Sequence, residues 1–169
     1  MGGMGREAEI SLCGTWRYSL HRWWDPRNLE CAWICLNPST ADGQTDDATV
    51  RKIIGFSSRL GYGGFWLFNL LAYRATDPQQ LLWCQNPYGP ENEACRVAER
   101  CKQVSPHPPI AAWGNVNKKF TNLALEFARA LCLMRCFGFT RSGEPRHPLM
   151  LPYTAKLQVV DASHWLNRR

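Results

Sequence analysis

Three short apolar runs and a fourth short strand, each leading into a loop or a polar residue, most strongly limit what this chain can fold into. Cys31-Ala32-Trp33-Ile34-Cys35-Leu36 stops at Asn37-Pro38, and Phe65-Trp66-Leu67-Phe68-Asn69-Leu70-Leu71 carries one polar residue near its end. Ile110-Ala111-Ala112-Trp113 stops at Gly114, and a fourth strand expected at 135–139 leads into a loop over 140–148. Runs without alternation suit strands covered on both faces. Between them lie segments of helical spacing. One has Val50, Ile53, Ile54 and Leu60 behind a helix-starting Asp46 or Asp47. Two more, Pro78 to Trp83 and Pro90 to Val104, begin with proline in the first turn, and a fourth carries Phe120, Leu123, Ala124, Phe127, Leu131 and Met134. Strands alternating with helices predict an α/β fold, a three-layer α/β/α sandwich around a central, mainly parallel sheet.

With 169 residues the chain is expected to form a single domain over 1–169. Alternation over residues 10–24, closed by the turn Asp25-Pro26-Arg27-Asn28, predicts a strand or hairpin within an N-terminal extension over 1–29. Residues 153–169 form a basic tail with His164 and Trp165, readable as a packed strand or as an extension facing DNA.

Hydrophobic residues at 45% and charged residues at 20% exclude a disordered or fibrous chain. Twenty Lys and Arg against 14 Asp and Glu leave a net charge of +6, which suits a polyanionic partner, nucleic acid before membrane. The sequence has no apolar run of about 18 residues for a membrane helix and no apolar segment of a signal peptide at its start, so a cytoplasmic protein is expected. Arg6 stands where an acylation signal at Gly2 would want Ser or Thr. No two of the eight cysteines have the two-residue gap of zinc or redox motifs, so reduced, buried thiols are expected, with no metal and no cofactor. Trp16, Trp23 and Trp24 sit among Arg17, His21 and Arg22, which leaves open a stacking surface beside cations.

In open α/β sheets the ligand crevice lies beyond the carboxyl ends of the strands. Four separate strands deliver polar residues to that edge: Asn37 to Asp42, Asn69, Gly114 to Asn117, and His147.

Taken in order, Leu36-Asn37-Pro38-Ser39-Thr40, Phe68-Asn69-Leu70-Leu71-Ala72-Tyr73-Arg74, Ala112-Trp113-Gly114 and His147-Pro148-Leu149 resemble the motifs of the uracil-DNA glycosylase superfamily. Residues 30 to 151 are also similar to a little-characterised bacterial and phage family with an Asn-Pro-Ser-Thr-Ala-Asp motif and an Arg-His-Pro-Leu ending. The resemblance implies a uracil-DNA-glycosylase-like fold and a monomeric, monofunctional DNA glycosylase that flips out a pyrimidine and leaves an abasic site, in repair or in defence against phage. It also implies roles for single residues. Asn37 would position water, His147 would donate to the carbonyl oxygen of the leaving base, and Asp42 would orient water or sugar beside Asn37. Pro38, Ser39, Thr40 and Asn69 would surround the base. Ser39 stands where uracil-specific relatives carry a tyrosine, which leaves room for a 5-substituent.

The chemistry supports such a site without the name. Breaking an N-glycosidic bond develops positive charge on the sugar and negative charge on the base, so it needs a placed water and a donor to the base oxygen. The Asn69 carboxamide offers both a donor and an acceptor to a pyrimidine edge. Base extrusion also needs a wedge and phosphate contacts. Leu149, Met150 or Leu151 would supply the first, and Arg141, Ser142, Arg146, Lys118 and Lys119 the second. Two alternatives belong to other classes. Asp42, Asp46 and Asp47 could hold Mg²⁺ for a nuclease or nucleotide phosphohydrolase, and the charge and aromatics could serve a non-catalytic nucleic-acid-binding module.

Overall fold

The computed structural model describes residues 3–166. Arg168 and Arg169 at the end of the tail, and the side chain of His164, lie outside the described residues. The apolar runs form strands β3 (Glu30–Cys35), β4 (Gly64–Asn69) and β5 (Ile110–Ala111), and the fourth strand, expected at 135–139, begins and ends earlier as β6 (Leu133–Cys136). They pair in parallel in the order β4-β3-β5-β6, with Cys35 opposite Asn69, so the carboxyl ends of β3 and β4 are level. Three antiparallel pairings surround this centre. The hairpin β1 (Gly5–Ile10) and β2 (Arg17–Trp23) adds to β4 through β2, and β7 (Gln158–Asp161) adds to β6. The seven-stranded sheet is therefore mixed, not mainly parallel. Neither addition needs the long crossover of a parallel pair: β1 and β2 are joined by a short turn, and an antiparallel partner is free to run back along the edge.

Helices cover both faces of the centre. On one, α1 (Ala48–Arg59) buries Val50, Ile53 and Phe56 against Cys31, Trp33, Cys35, Phe65 and Leu67. Its start is set by Asp47, whose carboxylate accepts from the Val50 N–H at 2.8 Å. Trp33 has no solvent exposure and donates from its indole to Ser57 at 3.0 Å, so its one polar atom is satisfied inside the layer. The short α2 (Gln80–Trp83) packs Leu81 at the rim. On the opposite face, α3 (Ala94–Val104) and α4 (Thr121–Leu131) pack against Ala32, Ile34, Phe68, Ala111 and Trp113. The helical spacing that includes Met134 runs past the real helix end. At Cys132 the chain turns through φ 60°, and Met134 re-enters the same core from β6.

The tail packs. Beyond β7, α5 (Ala162–Leu166) buries Trp165 completely, with its ring edge-on to Trp113 at 5.9 Å. The Trp165 indole donates to the Gly143 carbonyl at 2.6 Å, and the Trp113 indole donates to the Glu144 carboxylate at 2.9 Å. Residues 139–145 are thereby fastened from behind. Cysteine placement differs from expectation. Cys31, Cys35, Cys101 and Cys136 are buried, whereas Cys13, Cys95 and Cys132 are exposed at turns or helix surfaces. Trp165→Ala is expected to cost about 3–5 kcal/mol of stability by emptying this contact. A shift of less than about 1 kcal/mol in denaturant titrations would show that the tail does not brace the loop.

Candidate active site

At the carboxyl edge of β3, β4 and β5, a pocket of about 250 Å³ brings together Asn37, Ser39, Asn69, Gly114 and His147 from four separate segments. Arg17, Asp47, Trp113 and Asn115 complete much of its wall. That volume lies below the roughly 300–1,000 Å³ of pockets for drug-sized ligands and suits a small fragment.

Asn37 follows β3 directly. Its Nδ2 donates to the carbonyls of Pro38 at 2.8 Å and Ala75 at 3.0 Å. Both partners are acceptors, so the amide can stand only one way, and Oδ1 remains to accept from a water in the pocket. Asn69 closes β4 and is 1% exposed. Its Oδ1 accepts from Arg17 Nη2 at 3.2 Å, while its buried Nδ2 has no protein partner. The backbone carbonyls of Asn69 and Leu70 both receive Asn92 Nδ2 at 3.0 Å, which holds the strand end in place.

His147 is brought in by a hairpin-like excursion after β6. Phe139 bridges Pro145, the Arg146 N–H donates to the Gly138 carbonyl at 3.0 Å, and the Gly114 N–H donates to Pro145 at 2.8 Å. Gly114 has φ 68°, and a Cβ there would come within 3.2 Å of the His147 Cβ. A left-handed backbone and a close approach thus both require glycine. Nδ1 of His147 accepts from the Leu149 N–H at 3.3 Å, capping the 3-10 turn Pro148–Met150. Burial pushes the imidazole below its ordinary value, opposed only by the charge of Asp47. At neutral pH the ring is therefore neutral with its proton on Nε2, a hydrogen-bond donor without a cationic charge.

Two buried arginines of β2 hold the loop between β3 and α1. Arg17, 2% exposed, donates from Nη1 to the Ala41 carbonyl at 2.8 Å, and its Nε is buried without a protein partner. Desolvation pushes its guanidinium down to about 10, still charged at neutral pH. Arg22, fully buried, pairs with Asp46 at 2.8 Å and donates to the carbonyls of Asp42 and Thr45. The surface of tryptophans beside cations expected in this strand is not formed. Arg17 and Arg22 turn inward, and His21 is stacked between Trp23 and Trp66 at 4.4 and 3.9 Å while bonded to Glu30.

The remaining sequence candidates divide. Pro38 is buried and Thr40 exposed, both outside the pocket wall. The Asp42 carboxylate accepts from the N–H groups of Gln44 and Thr45 at 2.8 Å, which depresses its pKa; it shapes the loop and does not line the pocket. Asp46 pairs with Arg22 and with Arg6, and Asp47 caps α1, so the three acids serve different partners. Among the described residues no cluster of three metal-ligating side chains occurs. Arg141, Arg146, Lys118 and Lys119 are exposed, with the Lys119 ammonium on the Leu82 carbonyl at 2.8 Å. Ser142 donates to Asn115 Oδ1 at 2.7 Å and so steadies a pocket residue. Leu151 is 2% exposed and belongs to the core, which removes it as a wedge; Leu149 at 40% and Met150 at 88% stand outside. Sequence reasoning missed Arg17 as a pocket residue. Its one signal was a charge at the start of an otherwise half-apolar strand.

Two expectations follow from this geometry. A histidine whose folded pKa lies below its unfolded value leaves the unfolded chain holding more protons between the two, so stability rises with pH through that window and falls on acidification. Thermal melts between about pH 7.5 and pH 5.5 should show this loss, and His147→Asn should remove part of it; identical profiles would contradict the buried, neutral ring. Gly114→Ala should destabilise by about 1–2 kcal/mol through its left-handed backbone, read in denaturant titration.

A family model described as a protein of unknown function, DUF1643, matches residues 17–149, which contain every pocket residue named above. No curated protein and no solved structure matches. The matched segment is most of the chain, and this protein belongs to the DUF1643 family.

Proposed function

We propose that the protein is a metal-independent, monofunctional DNA glycosylase with a uracil-DNA-glycosylase-like architecture. It acts on a flipped-out, 5-substituted pyrimidine and leaves an abasic site. One observation carries the reading: Asn37 and His147, from opposite ends of the chain, share one base-sized pocket, the first with a free acceptor and the second with a neutral donor. Asn37 Oδ1 orients a water toward the sugar carbon. His147 Nε2–H meets the base oxygen as negative charge develops there, and a donor fixed before the reaction stabilises that charge without reorganisation. Ser39 in the wall leaves space beside the ring 5-position.

DNA is the proposed partner and the cytoplasm the proposed location, with the protein working as a monomer. The net charge of +6 and the exposed Arg141, Arg146 and Lys118 at loops near the pocket favour a phosphate backbone, and Met150 with Leu149 offers an apolar wedge beside His147. Removal of modified bases from phage DNA is the proposed setting, with repair as the second.

The test is base release in EDTA from duplex and single-stranded DNA carrying uracil, thymine, 5-hydroxymethylcytosine or its glucosylated form. Release that falls by on the order of a hundredfold to a thousandfold in His147→Ala, and likewise in Asn37→Ala, is the expected result. No released base, with strand cleavage appearing when Mg²⁺ is restored, would replace this reading with chemistry at Asp42, Asp46 and Asp47.

A further inference from the structure

We propose that Lys52 and Arg59 of α1, gathered over the ring of Tyr153, bind the phosphates of a DNA strand that leaves the pocket along this helix. The proposal rests on DNA being the partner, as in the glycosylase reading, and names the side chains that hold its backbone.

Charge is unevenly divided between the two faces of the sheet. On one, α1 carries Arg51, Lys52 and Arg59 and no acid. The segment 146–157 packs against it through Pro148–Met150, Leu151 and Leu157, and carries Arg146 and Lys156, again with no acid. Among the described residues none of these five cations belongs to an ion pair. Arg51 donates to the Asp46 backbone carbonyl, while the Asp46 carboxylate is taken by Arg22 and Arg6. On the opposite face Arg96 and Arg100 of α3 are paired, with Glu91 at 3.5 Å and Glu9 at 2.7 Å.

Unpaired surface cations are ordinary, but Lys52 and Arg59 are not merely solvated. Their Cα atoms stand about 10 Å apart along the helix axis. Nonetheless the Lys52 ammonium lies 4.2 Å from the centroid of the Tyr153 ring, and the Arg59 guanidinium carbon 3.8 Å from it. Two like charges thus converge on one ring with no carboxylate paired to either, an arrangement that an anion would relieve. The seat of the ring is built as well. Gly55 lies one turn from each cation, and a Cβ there would overlap the Tyr153 ring and hydroxyl, so a larger residue would push the ring off the helix. Glycine weakens a helix interior, and here it makes room for the ring that gathers the two cations. Long cationic side chains lose rotamer freedom when they bind, and contacts to an aromatic face restrict them beforehand.

This surface joins the pocket. Thr49 and Val50, in the first turn of α1, line the wall. Arg59 lies about 15 Å further along the axis, which is the span of about four nucleotides of a duplex strand. A backbone with charges at regular intervals fits cations that lead away from a pocket better than a single lipid headgroup does.

Binding is measured by fluorescence anisotropy in EDTA, between about 50 and 200 mM salt, on a labelled duplex carrying a stable abasic analogue. Lys52→Ala combined with Arg59→Ala should lower the slope of log K against log salt by about 1.8, two phosphates' worth, and weaken binding on the order of tenfold to a hundredfold at low salt. Arg96→Ala combined with Arg129→Ala, on the opposite face, should leave the slope as it is. Tyr153→Phe should bind like the wild type, because the ring holds the cations; Tyr153→Leu should lose affinity severalfold with the slope nearly unchanged, because both cations remain. If the double variant does not melt cooperatively, Lys52→Gln and Arg59→Gln are measured singly, each expected to lower the slope by about 0.9. An unchanged slope, or a loss no greater than in the opposite-face control, would overturn the proposal and leave the glycosylase reading intact. So would binding to phosphatidylglycerol vesicles that depends on Lys52 and Arg59 while DNA binding does not. Binding that depends on the two cations, without release of any modified base, would end the glycosylase reading and leave this surface standing. No binding of the wild type to the duplex at low salt would overturn both.

Discussion

Two guanidinium groups buried under the loop between β3 and α1 carry the site. Arg17 and Arg22 come from an edge hairpin, yet their donors end on the carbonyls of Ala41, Asp42 and Thr45 and on the carboxylate of Asp46. A buried guanidinium needs acceptors close by, so the loop must follow a path that brings those carbonyls and the Asp46 carboxylate to β2. That path sets the direction from which Asn37 leaves β3 and Asp47 enters α1. Removing one partner of such a buried pair typically costs about 3–5 kcal/mol, far more than an exposed pair contributes. The hairpin thus acts on the site from outside the parallel centre of the sheet.

The opposite wall is held by apolar and aromatic contacts instead of charge. Trp113 lines the pocket, meets the Trp165 ring in an edge-to-face contact, and donates to Glu144 in the loop that precedes His147. Gly114 then lets the His147 backbone come close. Rigid support of this kind fixes the side chains of the pocket in one arrangement. Each of Asn37, Asn69 and His147 has one polar side-chain atom committed to a partner within the fold.

The parallel centre of the sheet and the edge that carries the pocket were legible in the sequence, because a strand covered on both faces has to be apolar throughout and a polar residue at its end then stands out. Asn37 and Asn69 stood out by that contrast, whereas His147 was singled out by its place in the loop after the fourth strand. The antiparallel edges were less legible. Strands covered on one face alternate weakly, and nothing local in 158–161 announces a partner strand. Asp42 shows the opposite error, since a carboxylate in a motif-like loop attracts a catalytic reading while its geometry is that of a turn. Arg17 was out of reach for a further reason. Arginine in a strand of mixed polarity ordinarily points to water, and only the loop folded over β2 makes this one internal. Amide orientation is likewise a property of neighbours distant in sequence.

The bracing of the His147 loop by Trp165 bears on when the pocket is completed during synthesis. A chain emerges from the ribosome in order, and its earlier segments begin to fold first. The hairpin, the loop with Asn37 and the strand with Asn69 are all available well before α5 leaves the exit tunnel, whereas the wall formed by Trp113 and residues 139–147 gains its rear support only afterwards. The far wall of the pocket is therefore braced late, and a nascent or interrupted chain would hold Asn37, Asn69 and His147 with residues 139–145 still unsupported from behind.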